Sequence, residues 1–370
     1  MDLSRIALMP FFFSLSRQYL SYGCACISTT IATAYDTHGE SGLRHSLNEP
    51  ECVGIFTNAD LLPVVAKVIR EVPSLRLVIY DGIPSVEVLS NIKSSRGGVI
   101  VHSLDDLRKL GHELSLEAVK SRIPSSDDVA CIMYTSGTTG TPKGVVIKHS
   151  NIIAAIGGVH TLAGRHLNPD DMFLAFLPLA YILEYIIELY LVFRGACIGY
   201  GRIKTLTDQS VRNCKGDIEA FRPTVMAGVP AVWEHIRKDI LAQVNSSSGL
   251  RKSMFNSAMA IKKANIPLLK DAANIVFSKI KQATGGRLRV ALSGGAALSR
   301  ETQEFLSLAV VTVVQGTISE PQFGPELMKG RRLWHDGDLR RDHSPSTRYH
   351  AVWLCGPPFT VIGNQIPRCA

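Results

Sequence analysis

The sequence predicts an α/β fold in which layers of parallel sheet are covered by helices, and three stretches carry that expectation. Residues 52–82, "CVGIFTNADLLPVVAKVIREVPSLRLVIYDG", pass from a short apolar run through a helical pattern to a second apolar run. A unit of about thirty residues suits a parallel crossover. "PTVMAGVPAVWEHI" (223–236) and "RLRVALSGGAALSRETQEFL" (287–306) each read as a strand, a tight turn and a helix.

Taken in order, the chain opens on "IALMPFFFSL" (6–15), which has the apolar character of a signal-peptide core but no clear small-residue cleavage site after it. It is too short to cross a bilayer. In the 52–82 unit, Cys52 to Phe56 is the first strand. Asp60 is a candidate cap, and Leu61, Leu62, Val65, Val68 and Ile69 recur at helical spacing. Pro73 stops the helix, and Leu75 to Tyr80 is the second strand, closing at Asp81-Gly82. A polar bridge, "NIKSSRGG" (91–98), a charged helix and "IPSSDD" (123–128) lead to the strand "VACIMY" (129–134). The loop "YTSGTTGTPKG" (134–144) and a second strand, "VVIK" (145–148), follow, then a helix capped by Ser150.

"MFLAFLPLAYILEYIIELYLVF" (172–193) is long enough to span a membrane, but it contains Pro178, Glu184 and Glu188. An acid at the bilayer centre costs ~2.5 kcal/mol or more. The expectation is a buried or interfacial helix packed on the sheet, its two acids on one face and hydrogen-bonded or at a water-lined edge. Further on, Gly228-Val229-Pro230 turns into a helix, "NSSSG" (245–249) is a break, and Ser299 caps the last helix. No internal repeat is visible.

The chain of 370 residues allows two or three packed units at about 150 residues per domain. Hydrophobic residues at 46%, charged residues at 19% and a mean hydropathy of +0.13 describe a globular protein. A net charge of +8 suits anionic partners such as nucleotides, CoA or a lipid surface. The Lys and Arg residues are scattered, so no nucleic-acid partner is expected. Eight Cys without a CxxC pair point to a reducing compartment rather than a disulfide scaffold or zinc site.

The densest chemistry lies in "YTSGTTGTPKG", where three Gly, five Ser or Thr hydroxyls and Lys143 occupy eleven positions. Glycines let backbone N–H groups converge on an anion, the hydroxyls add donors, and Lys143 adds a mobile positive charge. This composition describes a polyphosphate cradle. The common phosphate loop has Gly before its Lys and opens a helix. Here Pro142 precedes Lys143 and a strand follows, so the loop is expected to be a movable flap between two strands, poorly ordered without nucleotide.

The same residues resemble the signature loop of the AMP-forming acyl-adenylating enzymes, and other segments resemble the long-chain fatty acyl-CoA synthetases among them. These are "TIATAYDTHGESGLRHSLNEPECVGIFTNADLLP" (30–63), "LPLAYILE" (177–184), "FRPTVMAGVPAVWEHI" (221–236) and "SGGAALS" (293–299). The resemblance implies a partial adenylating-enzyme N-terminal domain over residues 18–316, with an unmatched segment at 1–17 and a divergent, disordered tail at 317–370. It implies a ligase that joins a fatty acid to CoA through an acyl-adenylate, using ATP and Mg2+. ATP would contact Tyr134, Thr135, Ser136, Gly137, Thr138, Thr139, Gly140 and Lys143, and also Gly294, Gly295 and Ala296. Lys143 and Thr135 would be catalytic. Tyr181, where the family commonly has His, and Gly228 would border the acyl site. Thr135 and Glu320 would serve the metal. The resemblance also implies a peripheral membrane or lipid surface, at the cytoplasmic face of the endoplasmic reticulum, a peroxisome or a lipid droplet.

The likeness departs after "VVTVVQG" (310–316). The family pattern there, aromatic-Gly-x-Thr-Glu, stands against "QGTISE" (315–320), where Ser319-Glu320 is the nearest equivalent. Beyond it the sequence offers no counterpart of the ribose-binding Asp or the C-terminal catalytic Lys. On this reading the chain is expected to be a piece of a synthetase, by itself making no detectable acyl-CoA. The alternative function is a catalytically dead nucleotide-binding remnant or truncated gene product.

Overall fold

The computed structural model describes residues 5–8, 15–34, 39–120, 122–135, 142–164, 166–178, 180–264 and 266–315. Two sheets organise them. The 7-stranded sheet comprises β1 (Arg5–Leu8), β2 (Thr30–Thr33), β3 (Gly54–Asn58), β4 (Leu77–Asp81), β5 (Ile100–Ser103), β6 (Val129–Thr135) and β7 (Lys143–Lys148), in the order β5-β4-β3-β1-β2-β6-β7. All its pairings are parallel except β6 with β7, which are antiparallel. The 5-stranded sheet comprises β8 (Met172–Ala175), β9 (Cys197–Tyr200), β10 (Val225–Gly228), β11 (Val290–Ser293) and β12 (Val313–Gln315), in the order β12-β11-β10-β8-β9, all parallel.

The helices fall into three layers around these sheets. On one face of the first sheet lie α2 (Gly39–Asn48), α3 (Leu62–Val68) and α4 (Val86–Ser95), which bury Leu43, Leu47, Leu62, Val65, Val68 and Ile92. The middle layer holds α1 (Leu15–Cys26), α5 (Leu104–His112), α7 (His149–Ala163) and α8 (Ile182–Arg194); all four pack on the first sheet, and α7 and α8 also share a core with the second. A short α6 (Leu116–Lys120) follows α5, and α9 (Asp217–Phe221) precedes β10. The outer face of the second sheet is covered by α10 (Pro230–Ser246), α11 (Gly249–Lys263), α12 (Lys270–Ala283) and α13 (Arg300–Ala309) around Trp233, Phe255, Phe277 and Phe305. The expected α/β layering is therefore present.

Several elements differ from the sequence reading. Arg5–Leu8, which overlaps the start of the signal-like segment at Ile6, is a strand inserted between β2 and β3, with Ala7 in register with Ala32 and with Ile55. Asp60 is not a cap. It sits within a 3-10 turn, Ala59–Leu61, and α3 opens on Leu62 with Pro63 in its first turn, where a missing N–H costs nothing. Residues 91–95 of the polar bridge belong to α4, because Ile92 is buried and Ser85 caps the helix by accepting from the Val88 amide at 3.3 Å. Ser150 lies inside α7. The cap is made instead by Asn151, whose Oδ1 accepts from the Lys148 amide at 2.9 Å. Ser299 does cap α13, accepting from the Thr302 amide at 3.3 Å.

The apolar stretch 172–193 is not one helix but β8, a turn at Pro178 and α8. Among the described residues no helix is long and apolar enough to cross a membrane. α8 directs Tyr185 and Ile186 toward the first sheet and Ile187, Tyr190 and Leu191 toward the second. Burying each such side chain contributes about 1.5–3 kcal/mol. Both acids are wholly buried. Glu188 accepts from the Tyr200 hydroxyl at 3.1 Å as expected, whereas neither oxygen of Glu184 has a hydrogen-bond partner among the described residues.

Candidate active site

Parallel strands put all their carboxyl ends along one edge, and the order of the second sheet changes direction between β10 and β8. From β8 the chain passes through α8 to β9 on one side, and later returns to β10 on the other. In open α/β sheets, ligands bind in the crevice outside the carboxyl ends at such a switch point. Gly228 ends β10, and the turn after β8 leads to Tyr181, so the two expected acyl-site residues flank this crevice. Tyr181 is the N-cap of α8 and is 42% exposed.

One strand further along the edge, β11 ends at Ser293 and Gly294, Gly295 and Ala296 follow. The two turns are joined at one atom. The Gly228 carbonyl accepts from the Trp233 indole Nε1 at 3.3 Å and from the Gly294 amide at 3.2 Å. Gly295 has φ +85°, a left-handed conformation that an L side chain adopts only with strain. Ser293 is buried, and its hydroxyl has no partner among the described residues. A buried donor without a partner at the carboxyl edge suits a polar ligand lying across Gly294 and Gly295.

The phosphate-loop candidate hangs from the first sheet. β6 and β7 pair antiparallel with Thr135 opposite Lys143 and Tyr134 opposite Gly144, so the ends of the loop are held together as a strand, loop and strand. Ser136, Gly137, Thr138, Thr139 and Gly140 lie outside the described residues, as does Glu320, and Thr135 is placed by its backbone alone. The expected order or disorder of the flap therefore falls outside them as well. Lys143 is exposed at the base of the loop. Met133 of β6 and Ile147 of β7 share a core cluster with Tyr185 and Ile186 of α8. The strands that carry the loop thus pack on the helix that Tyr181 opens.

The base of the loop rests on residues that sequence reasoning missed. Tyr134 is buried edge-on against the His45 ring, 5.9 Å between centroids. Burial and the neighbouring Glu49 carboxylate push its phenol above the usual tyrosine range. His45 Nε2 lies 3.1 Å from the Pro142 carbonyl oxygen and 3.7 Å from Glu49 Oε2. A Cβ on Gly144 would stand 2.9 Å from Ile132 Cγ2 and 3.4 Å from Glu49 Oε2, so the strand can pass there only without a side chain. His45 and Glu49 lie within the segment 30–63 that carries the resemblance, but their i, i+4 spacing at the end of α2 points to no chemistry by itself. Among the described residues no three His, Cys, Asp or Glu side chains gather to hold a metal ion.

Residues 18–316 match the family of AMP-binding enzymes. Long-chain-fatty-acid–CoA ligase 2 of Schizosaccharomyces pombe is 42% identical over 314 residues, covering 83% of this chain and 45% of that protein. Long-chain-fatty-acid–CoA ligase 1 of Saccharomyces cerevisiae is 41% identical over 304 residues, covering 77% of this chain and 43% of that protein. The chain spans about half the length of the curated relatives it matches. Among solved structures, the adenylation domain of a carboxylate reductase from Mycobacterium chelonae aligns with a TM-score of 0.65 at 21% identity, covering 86% of this chain and 47% of that one. The N-terminal domain of FACL13 from Mycobacterium tuberculosis aligns with a TM-score of 0.53 at 19% identity, covering 86% and 63%. These two likenesses establish the fold alone.

Proposed function

The chain belongs to the AMP-binding enzyme family, and on that premise we propose that it activates a long-chain fatty acid with ATP and passes the acyl group to CoA. A carboxylate oxygen of the fatty acid attacks the α-phosphorus of ATP, the bond to the bridging oxygen of the β-phosphate breaks, and pyrophosphate leaves. The CoA sulfur then attacks the acyl carbonyl and AMP leaves. The observation that carries this reading is the strand, loop and strand 129–148, which brings the two ends of a Gly- and hydroxyl-rich loop together and presents Lys143 to solvent.

In this reading Lys143 and the loop amides hold the β- and γ-phosphates, where charge accumulates as pyrophosphate departs. The adenylate lies along Gly294, Gly295 and Ala296, with the unpartnered Ser293 hydroxyl at the same edge. The acyl chain runs from the crevice between Gly228 and Tyr181. Mg2+, typical of the family, supplies charge neutralisation on the phosphates when bound, with Thr135 and Glu320 as its protein donors. The acyl substrate partitions into lipid and the net charge of +8 suits an anionic surface. We therefore propose that the protein works at a lipid surface, on the cytoplasmic face of the endoplasmic reticulum, a peroxisome or a lipid droplet.

One observation favours a second reading. "QGTISE" (315–320) stands where the family has aromatic-Gly-x-Thr-Glu, and loss of a single transition-state donor costs ~2.7–4 kcal/mol, about 100- to 1,000-fold in rate. The second reading is a chain that binds ATP and forms little or no thioester. Incubation with ATP, Mg2+, CoA and palmitate decides between them. Palmitoyl-CoA that disappears in Lys143→Ala supports the ligase reading; ATP binding without palmitoyl-CoA under the same conditions, the outcome the sequence leads one to expect of this chain by itself, selects the second.

A further inference from the structure

At the base of the phosphate-loop candidate, the hydrogen-bonded ladder that holds the chain runs out. β7 is the last strand in the order of its sheet, and among the described residues it pairs with β6 alone. The final pair sets Lys143 opposite Thr135. Pro142, the next residue outward, has no N–H with which to extend that ladder. Its carbonyl oxygen is approached from another element instead. His45 Nε2, on α2 and 97 residues away in the chain, lies 3.1 Å from it.

The chemistry of that contact fixes its direction. A carbonyl oxygen can only accept, so the approach requires the proton on Nε2. Glu49 Oε2, 3.7 Å from the same nitrogen, is a second acceptor and favours the same placement. The imidazole is held from the side by the buried Tyr134 ring, at 71° between the planes. The helix that carries His45 is itself fixed. Leu43 and Leu47 are buried in the core, Asn48 Nδ2 donates to the Glu71 carbonyl at 3.0 Å, and Glu40 pairs with Lys67 at 2.7 Å. A donor on a packed helix holds its partner more closely than one on a loop.

A peptide unit is planar, so the Pro142 carbonyl, the Lys143 N–H and the Lys143 Cα share one plane. A hydrogen bond to that carbonyl therefore sets the plane from which the Lys143 side chain departs. We propose that His45 is a positioning residue for Lys143, and that its Nε2–H, donated to the Pro142 carbonyl, directs the exposed ammonium toward the phosphates. The assignment rests on the reading of Lys143 given above and adds to it a support from outside the loop.

Two measurements on the 370-residue chain test this, one of them without ligand. Brief trypsin treatment cuts after Lys143 only when the start of β7 leaves the sheet, and mass spectrometry counts the new N-terminus at Gly144. Calorimetric titration gives the affinity for MgATP. Wild type is compared with His45→Phe, which keeps a ring against Tyr134 but loses the donor, and with His45→Gln, whose amide nitrogen can replace Nε2. From the ordinary net strength of one hydrogen bond, His45→Phe should be cut about 3- to 10-fold faster and bind MgATP about 3- to 10-fold more weakly, while His45→Gln stays within about twofold of wild type in both. The melting temperature of each ligand-free variant should stay within about 3 °C of wild type. Should His45→Phe not fold, His45→Asn, whose amide is too short to reach Pro142, takes its place with the same expectation. Wild-type cutting or wild-type affinity in His45→Phe, or a His45→Gln chain as impaired as His45→Phe, overturns the proposal. The expected cutting pattern with no MgATP bound by any of the chains refutes the phosphate role of Lys143 and supports the anchor. Unchanged cutting in His45→Phe while wild type binds MgATP refutes the anchor alone.

Discussion

At Gly144 a single hydrogen in place of a methyl decides whether the loop can leave the sheet. The added Cβ would face Ile132 Cγ2 at 2.9 Å and the Tyr134 ring at 3.4 Å, and Tyr134 is fully buried and has no room to retreat. Gly144→Ala is therefore expected to cost ~1–3 kcal/mol, the usual range for overpacking. Denaturant unfolding measures it, and an unchanged midpoint would contradict the close approach. The glycine density of "YTSGTTGTPKG" was legible in the sequence, but which glycine the fold requires was not. That depends on Ile132 and Glu49, and on the antiparallel register that sets Gly144 opposite Tyr134.

Single elements are anchored by contacts that periodicity does not register. Asp171, just before β8, is 2% exposed and ties three strands at their amino ends. It accepts from Arg289 Nε at 2.9 Å, from the Thr224 hydroxyl at 2.6 Å and from the Asn168 amide at 2.7 Å. Burial alone would push its carboxyl up, but Arg289, Thr224 and the Asn168 amide outweigh it and hold it below the ordinary aspartate range. The sign follows from linkage. A lowered value in the folded state contributes stability above the ordinary aspartate range, and that stability is lost as pH falls through the lowered value. Removing one partner of a buried pair costs ~3–5 kcal/mol, and the Arg289 side chain is 38% exposed, so solvent screening brings the expectation for Asp171→Asn to about 2–3 kcal/mol. Melting temperatures from pH 7 to pH 2 check this. The gap between wild type and variant should narrow toward acid, and a constant gap would contradict the assignment. Helix starts set by local chemistry, at Ser299 and Pro230, were readable from the sequence. Asp60 and Ser150 misled because a proline and an asparagine nearby offered better starts.

At the scale of the molecule, the two sheets divide the work: the first carries the loop and the second supplies the carboxyl edge. The strand–turn–helix units that make this edge were visible as patterns, and it was the resemblance to the acyl-adenylating enzymes that singled out Gly228 and Gly294–Ala296 within them. Their adjacency was not, since it depends on β10 pairing with β11 across some sixty intervening residues and on Gly294 donating to Gly228. Nor could the sequence show Arg5–Leu8 as an inner strand or Arg17 buried within electrostatic reach of Glu188 and Glu184, because both are long-range pairings without local signal. The central claim is that this chain holds the phosphates of ATP on the β6–β7 loop. Calorimetric titration of the 370-residue chain with MgATP, beside its Lys143→Ala variant, tests that claim most directly. A charged hydrogen bond contributes about 1.5–3 kcal/mol, so the variant should bind about 10- to 150-fold more weakly while keeping its melting temperature in the absence of ATP. Equal affinities for the two chains, or no binding by folded wild type, would contradict the account.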